Sequence, residues 1–134
     1  MFRICRFFLF AVSFCAVFSG CTMDGFSSHQ IGHYSGNLPC ADCPGIFTNL
    51  YLTEKAQYRL EMIYTGRSTT AIEKGVWRIV KEKDQTGKMK TIIELSPFES
   101  SSKTLYHLKN NTTMQLLDSG KIPVESAVLK KQVN

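Results

Sequence analysis

Two stretches of alternating residues limit what this chain can become. Ile46-Phe47-Thr48-Asn49-Leu50-Tyr51-Leu52 puts Ile, Thr, Leu and Leu on one side and Phe, Asn and Tyr on the other. Tyr58-Arg59-Leu60-Glu61-Met62-Ile63-Tyr64 repeats the pattern, with Tyr58, Leu60, Met62 and Tyr64 sharing a side. A period of two means extended backbone with one face buried. Thr53 to Ala56 has the length of a tight hairpin connection. Further strands are expected at Ile31–Ser35, Gly75–Val80, Lys90–Leu95, Thr104–Lys109, Thr113–Leu117 and within Val124–Val133. Lys81 to Lys88 reads as a polar loop. Asn110-Asn111-Thr112 and Asp118-Ser119-Gly120 supply turns, asparagine tolerating the positive φ such turns use. Pro123 marks an edge or a break. No segment keeps a 3.6-residue apolar period. Short strands with turn signals between them predict an all-β fold, a sandwich or a barrel. A meander removes its edges by closing on itself. The expectation is therefore a small antiparallel up-and-down β-barrel, its aromatics filling the interior or lining a narrow cavity.

The start of the chain reads as a signal for export. Arg3 and Arg6 precede an apolar run from Phe7 to Phe18, which is short for a membrane-spanning helix. Phe18-Ser19-Gly20-Cys21 follows and resembles the bacterial lipobox, with Phe where leucine is usual. Residues 1–20 are then a lipoprotein signal peptide. Cys21 becomes the new N-terminus, carrying palmitate-type acyl chains that anchor stably when there are two or more. By analogy with bacterial lipoproteins, Thr22 in place of aspartate directs the protein to the outer membrane, facing the periplasm. Residues 21–30 are expected to be a lipid-anchored tether, and 31–134 one barrel domain. About 114 residues after Gly20 suit one core.

Of 5 cysteines, Cys5 and Cys15 leave with the signal and Cys21 is acylated, which leaves Cys40 and Cys43. They lie in Gly36-Asn37-Leu38-Pro39-Cys40-Ala41-Asp42-Cys43-Pro44-Gly45-Ile46, a C-x-x-C bracketed by prolines and glycines. That composition makes a stiff turn between extended runs rather than a helix. An even pair outside the cytosol suits a disulfide. The same sulfurs, reduced, with His33, and His29 close to it in sequence, suit a soft metal such as Cu(I). Thioredoxin-like redox chemistry is the third reading. It has less support, because Asp42 sits between the cysteines and no βαβ pattern surrounds them.

The run from Tyr34 to Ile46, followed by Thr48, Leu50 and Leu52, resembles the N-terminal domain of the NlpE family of outer-membrane lipoproteins. The string L-P-C-A-D-C-P-G-I carries most of the likeness. Gly75-Val76-Trp77 leading into a strand, and Leu116-Leu117-Asp118-Ser119-Gly120, agree with it. The resemblance implies a lipocalin-like β-barrel and a role in copper tolerance or envelope stress. It also implies a possible envelope sensor as partner. The name-giving member has a second β-domain for which this sequence leaves no length. The barrel, the anchor and the cysteine turn are what carry over.

The expected function is that of a non-enzymatic outer-membrane lipoprotein acting through Cys40 and Cys43. The alternative is a lipocalin-like carrier of a small apolar ligand with a structural disulfide. Removing Arg3 and Arg6 leaves 14 Lys and Arg against 11 Asp and Glu, a scattered net +3 that does not point to nucleic acid. No metalloprotease motif, phosphate loop or nucleophile elbow is present.

Overall fold

The computed structural model describes residues 28–133; the expected signal peptide and Cys21 lie outside the described residues. Eight strands follow one another: β1 (Gly32–Leu38), β2 (Ile46–Leu52), β3 (Gln57–Tyr64), β4 (Thr69–Lys83), β5 (Met89–Pro97), β6 (Thr104–Asn110), β7 (Thr113–Leu117) and β8 (Pro123–Lys131). Each pairs antiparallel with the next, and β8 pairs back onto β1, so the sheet closes into a barrel.

The alternation works as the sequence implies. Thr48, Leu50 and Leu52 of β2 are buried while Phe47 is exposed; Tyr58 and Leu60 of β3 are buried while Ile63 is exposed. Every strand contributes at least one side chain to a single core cluster. Trp77, Tyr34, Tyr58 and Tyr106 are its largest members, each no more than 3% exposed. Such residues stabilise by roughly 1.5–3 kcal/mol apiece when fully buried. The aromatics therefore fill the barrel, with the Trp77 indole Nε1 donating to Thr53 O at 3.1 Å and the Tyr58 hydroxyl to Glu73 Oε1 at 2.6 Å.

Several boundaries differ from expectation. β4 is 15 residues long and takes in Lys81, Glu82 and Lys83, which read as loop. Across the ladder Glu82 stands opposite Lys90, and its carboxylate accepts from Lys121 Nζ at 2.7 Å, which ties the end of β4 to the turn before β8. Asp84 ends the hairpin instead. Its Oδ1 accepts from the backbone N–H of Thr86 at 2.9 Å and of Lys88 at 3.0 Å. Asn110 and Asp118 act alike on the residues that follow them. The asparagine turn thus works by side-chain acceptance. Positive φ falls instead on Ala56 and Lys121 among the described non-glycine residues.

β1 also runs further than expected, through Gly36 to Leu38. A Cβ at Gly36 would stand 2.1 Å from Val128 O, so only glycine lets β8 come close enough to close the barrel. The expected tether ends in structure as well. Ser28–Gln30 form a short 3-10 helix with Gln30 buried. The Tyr34 hydroxyl, deep in the core, donates to Gln30 O at 3.0 Å, and Lys131 Nζ donates to His29 O at 2.7 Å. A buried phenol needs an acceptor, and these residues provide it. The folded body therefore starts before Ile31.

Candidate functional site: the cysteine turn

Pro39 to Gly45 connect β1 to β2. In an up-and-down meander every second connection returns to the same end, which brings residues 65–68, between β3 and β4, alongside. Three contacts pin the two turns together. Thr65 N–H donates to Gly45 O at 3.0 Å. Arg67 Nη2 donates to Asp42 O at 3.3 Å and to Asp42 Oδ2 at 2.8 Å. Gly66, at φ 79°, packs beside the Pro44 ring, whose Cδ lies an ordinary contact distance, 3.6 Å, from where a Cβ would stand. Glycine takes that left-handed conformation without the steric cost of a Cβ.

Within this frame the sulfurs of Cys40 and Cys43 lie 1.97 Å apart and their Cα atoms 5.3 Å apart, so the two are joined as a disulfide. Both residues are half-buried, with Asp42 between them exposed. Cys40 Sγ lies 3.6 Å from Asp42 Oδ1, and Cys43 Sγ lies 3.4 Å from Gly45 O. A disulfide sulfur has no proton to donate. Once the bond is reduced, each thiol has an acceptor already in place. The neighbour of Cys40 is an acid, Asp42, whereas an attacking redox thiol wants a cationic neighbour or a helix N-terminus.

The donor set can be tested for a metal. One ligand atom each from Cys40, Asp42 and Cys43 falls within 4.8 Å of the others. After reduction, the two soft sulfurs on a pinned turn fit a small thiophilic cation such as Cu(I), while the hard Asp42 carboxylate would add negative charge nearby and not a preferred ligand.

His33 does not join them, which corrects the expected ligand set. It lies near the start of β1, while the cysteines follow the end of that strand. Five strand steps from 33 to 38 span about 17 Å. His33 Nε2 instead sits 2.9 Å from Asn49 Oδ1, and its ring stacks on Tyr51 with centroids 4.4 Å apart. His29 is at that same distant end, in the 3-10 helix. Sequence reasoning missed Arg67, 25 residues from Asp42. The signal that could have found it is topological: Thr65-Gly66-Arg67-Ser68 is a turn at the same end of a meander.

An eight-stranded up-and-down barrel, filled by aromatics and carrying a paired C-x-x-C in its first connection, belongs to the lipocalin-like class. The family model for the NlpE N-terminal domain matches residues 34–127, and the chain belongs to the NlpE family. Among solved structures it is similar to the Cpx pathway activator NlpE from Escherichia coli, with 23% identity and a TM-score of 0.55. That match covers 78% of this chain and 47% of the other, so the chain spans about half the length of that protein. It is also similar to a candidate lipoprotein from Shewanella oneidensis, with 27% identity, a TM-score of 0.52, and coverage of 82% of this chain and 99% of the other. No curated protein sequence matches it.

Proposed function

We propose that this protein is a lipid-anchored outer-membrane component, facing the periplasm, that takes part in copper or envelope-stress responses through the Cys40–Cys43 turn. The observation that carries this reading is the pinned turn itself. Two sulfurs and a carboxylate are held together at one end of the barrel, half-buried yet reachable, in a chain of the NlpE family. An external dithiol that is itself oxidised to a disulfide would supply the two electrons and two protons that turn the closed Cys40–Cys43 bond into two thiols, and Cu(I) binding would then displace their protons. Anchoring would come through Cys21. The relative from Escherichia coli is a Cpx pathway activator. By analogy, the partner sought here is an envelope sensor.

The test is a Cu(I) titration of the reduced protein. Tight binding that disappears in Cys40→Ser is expected, with His33→Ala unaffected. Failure of the reduced protein to bind Cu(I) removes the copper role. The mass of the protein from intact cells reads the acylation of Cys21 and the state of the disulfide together. The carrier alternative has less support, because Tyr34, Trp77 and Tyr106 occupy the interior where an apolar ligand would go.

A further inference from the structure

Five of the large apolar side chains left exposed lie on the outer face of β2 to β5: Phe47, Ile63, Ile72, Val76 and Phe98. The register joins them. Phe47 sits directly across from Ile63, each 40% exposed. Ile63 pairs with Thr70, which places Ile72 on the next outward position of β4, diagonal to Ile63. Phe98 N–H donates to Lys74 O at 3.0 Å, so Phe98 stands beside Lys74 and diagonal to both Ile72 and Val76. Ile72 is 54% exposed and Phe98 64%. Diagonal neighbours on a sheet lie within reach of long side chains. The result is one continuous apolar band, rimmed by polar residues, of the kind that marks a contact surface.

The length of chain between the expected anchor and the barrel points to what covers it. Glu61 beside the band is paired with Arg59. Lys74, within the band, has no acidic partner among the described residues, while Glu99 lies at the band's end next to Phe98. The face is therefore apolar with balanced charge, Arg59 and Lys74 against Glu61 and Glu99, and Lys74 is the cation left to meet an anionic headgroup. The rung from His33 through Tyr51, Arg59 and Lys74 to Phe98 crosses four strand spacings, about 19 Å. Six residues lie between Cys21 and Ser28, seven steps along the chain, a reach of at most about 25 Å. A membrane held that close by its own anchor has a high effective concentration at the face.

We propose that the outer face of β2 to β5, through the band from Phe47 to Phe98 and Lys74, rests on the anionic bilayer to which the chain is tethered. This deepens the lipid-anchor reading above and rests on it. In that pose the band meets the lipid, and the cysteine turn, continuous with Phe47, is held close to the membrane surface.

The experiment places the full mature chain in nanodiscs of phosphatidylethanolamine and phosphatidylglycerol that carry a gadolinium-chelating lipid. Amide signals are then read residue by residue. Signal loss centred on Ile63, Ile72 and Phe98, and sparing His107, Gln115 and Val128 on the other side, supports the proposal. Ile72→Ser with Phe98→Ser, checked for an unchanged melting profile, should abolish the pattern. Lys74→Gln should weaken association of the unanchored chain with the same lipids about fivefold. The protein's mass reads acylation separately. An acylated chain with uniform loss overturns the face and keeps the anchor; an unacylated chain with band-centred loss does the reverse. An unacylated chain with no loss overturns both. A stable dimer in solution that protects the band assigns it to a second copy and overturns the membrane pose.

Discussion

Arg67 holds Asp42 at two points, the backbone oxygen and the carboxylate, across 25 residues of sequence. The contact joins the turn after β3 to the turn that carries the cysteines. Both side chains are largely exposed, so the ion pair contributes about 1 kcal/mol or less to stability. Its effect is local. Arg67→Ala is expected to leave the urea midpoint nearly unchanged while speeding amide exchange across Asp42 to Gly45. Unchanged exchange would show that Pro44 and the Thr65–Gly45 hydrogen bond suffice.

The disulfide should matter little to global stability. Only three positions separate Cys40 from Cys43, and closing so short a loop removes little entropy, about 2 kcal/mol at most. Urea unfolding with and without a phosphine reductant should differ by no more than that, with the barrel's circular dichroism retained. Collapse of the barrel on reduction would make the bond a structural staple and count against a reversible switch.

Barrel closure should depend on the missing side chain at Gly36. Because a Cβ there would stand 2.1 Å from the Val128 carbonyl, Gly36→Ala must push β1 off β8. Crowding of that kind costs about 1–3 kcal/mol or more. Gly66→Ala is the contrast. It meets only an ordinary contact with Pro44 at 3.6 Å but must hold φ 79°, a cost of about 1 kcal/mol. Chemical denaturation of both variants tests the ranking, and a milder loss for Gly36→Ala would reverse the argument.

Glu94 should give the protein an acid-sensitive limb. Burial raises its pKa, but hydrogen bonds from Arg78 and Lys103 outweigh that, and the net shift is below the ordinary value of 4.5. A carboxyl depressed in the folded state contributes stability above its unfolded pKa and loses it as pH falls through the folded one. Stability should therefore decline below about pH 4.5, the unfolded value. Glu94→Gln should flatten this limb and cost about 1 kcal/mol at pH 7, since both cations are at least half exposed. Urea melts from pH 7 to pH 3 provide the check. An equally steep acid limb in the variant would place the titrating group elsewhere.

The sequence alone determined the strands and their faces. Alternation in Ile46–Leu52 and Tyr58–Tyr64 is a local property, written in the residues that show it, and so is the stiffness of a cysteine pair between prolines. Turn positions were legible for the same reason, although the mechanism at Asn110 was not, because side-chain acceptance and positive φ favour the same residue types. The tertiary structure alone decided what depends on neighbours far along the chain. Charged Lys81 to Lys83 became strand because they pair in register with Met89 to Thr91 of β5 and because Glu82 found Lys121, 39 residues on, as its ion partner. His33 left the cysteine site because a strand is rigid and long, and Arg67 entered it because a meander stacks alternate turns. The apolar band from Phe47 to Phe98 also exists only once register is set, since each of its residues comes from a strand that knows nothing of the next until they pair.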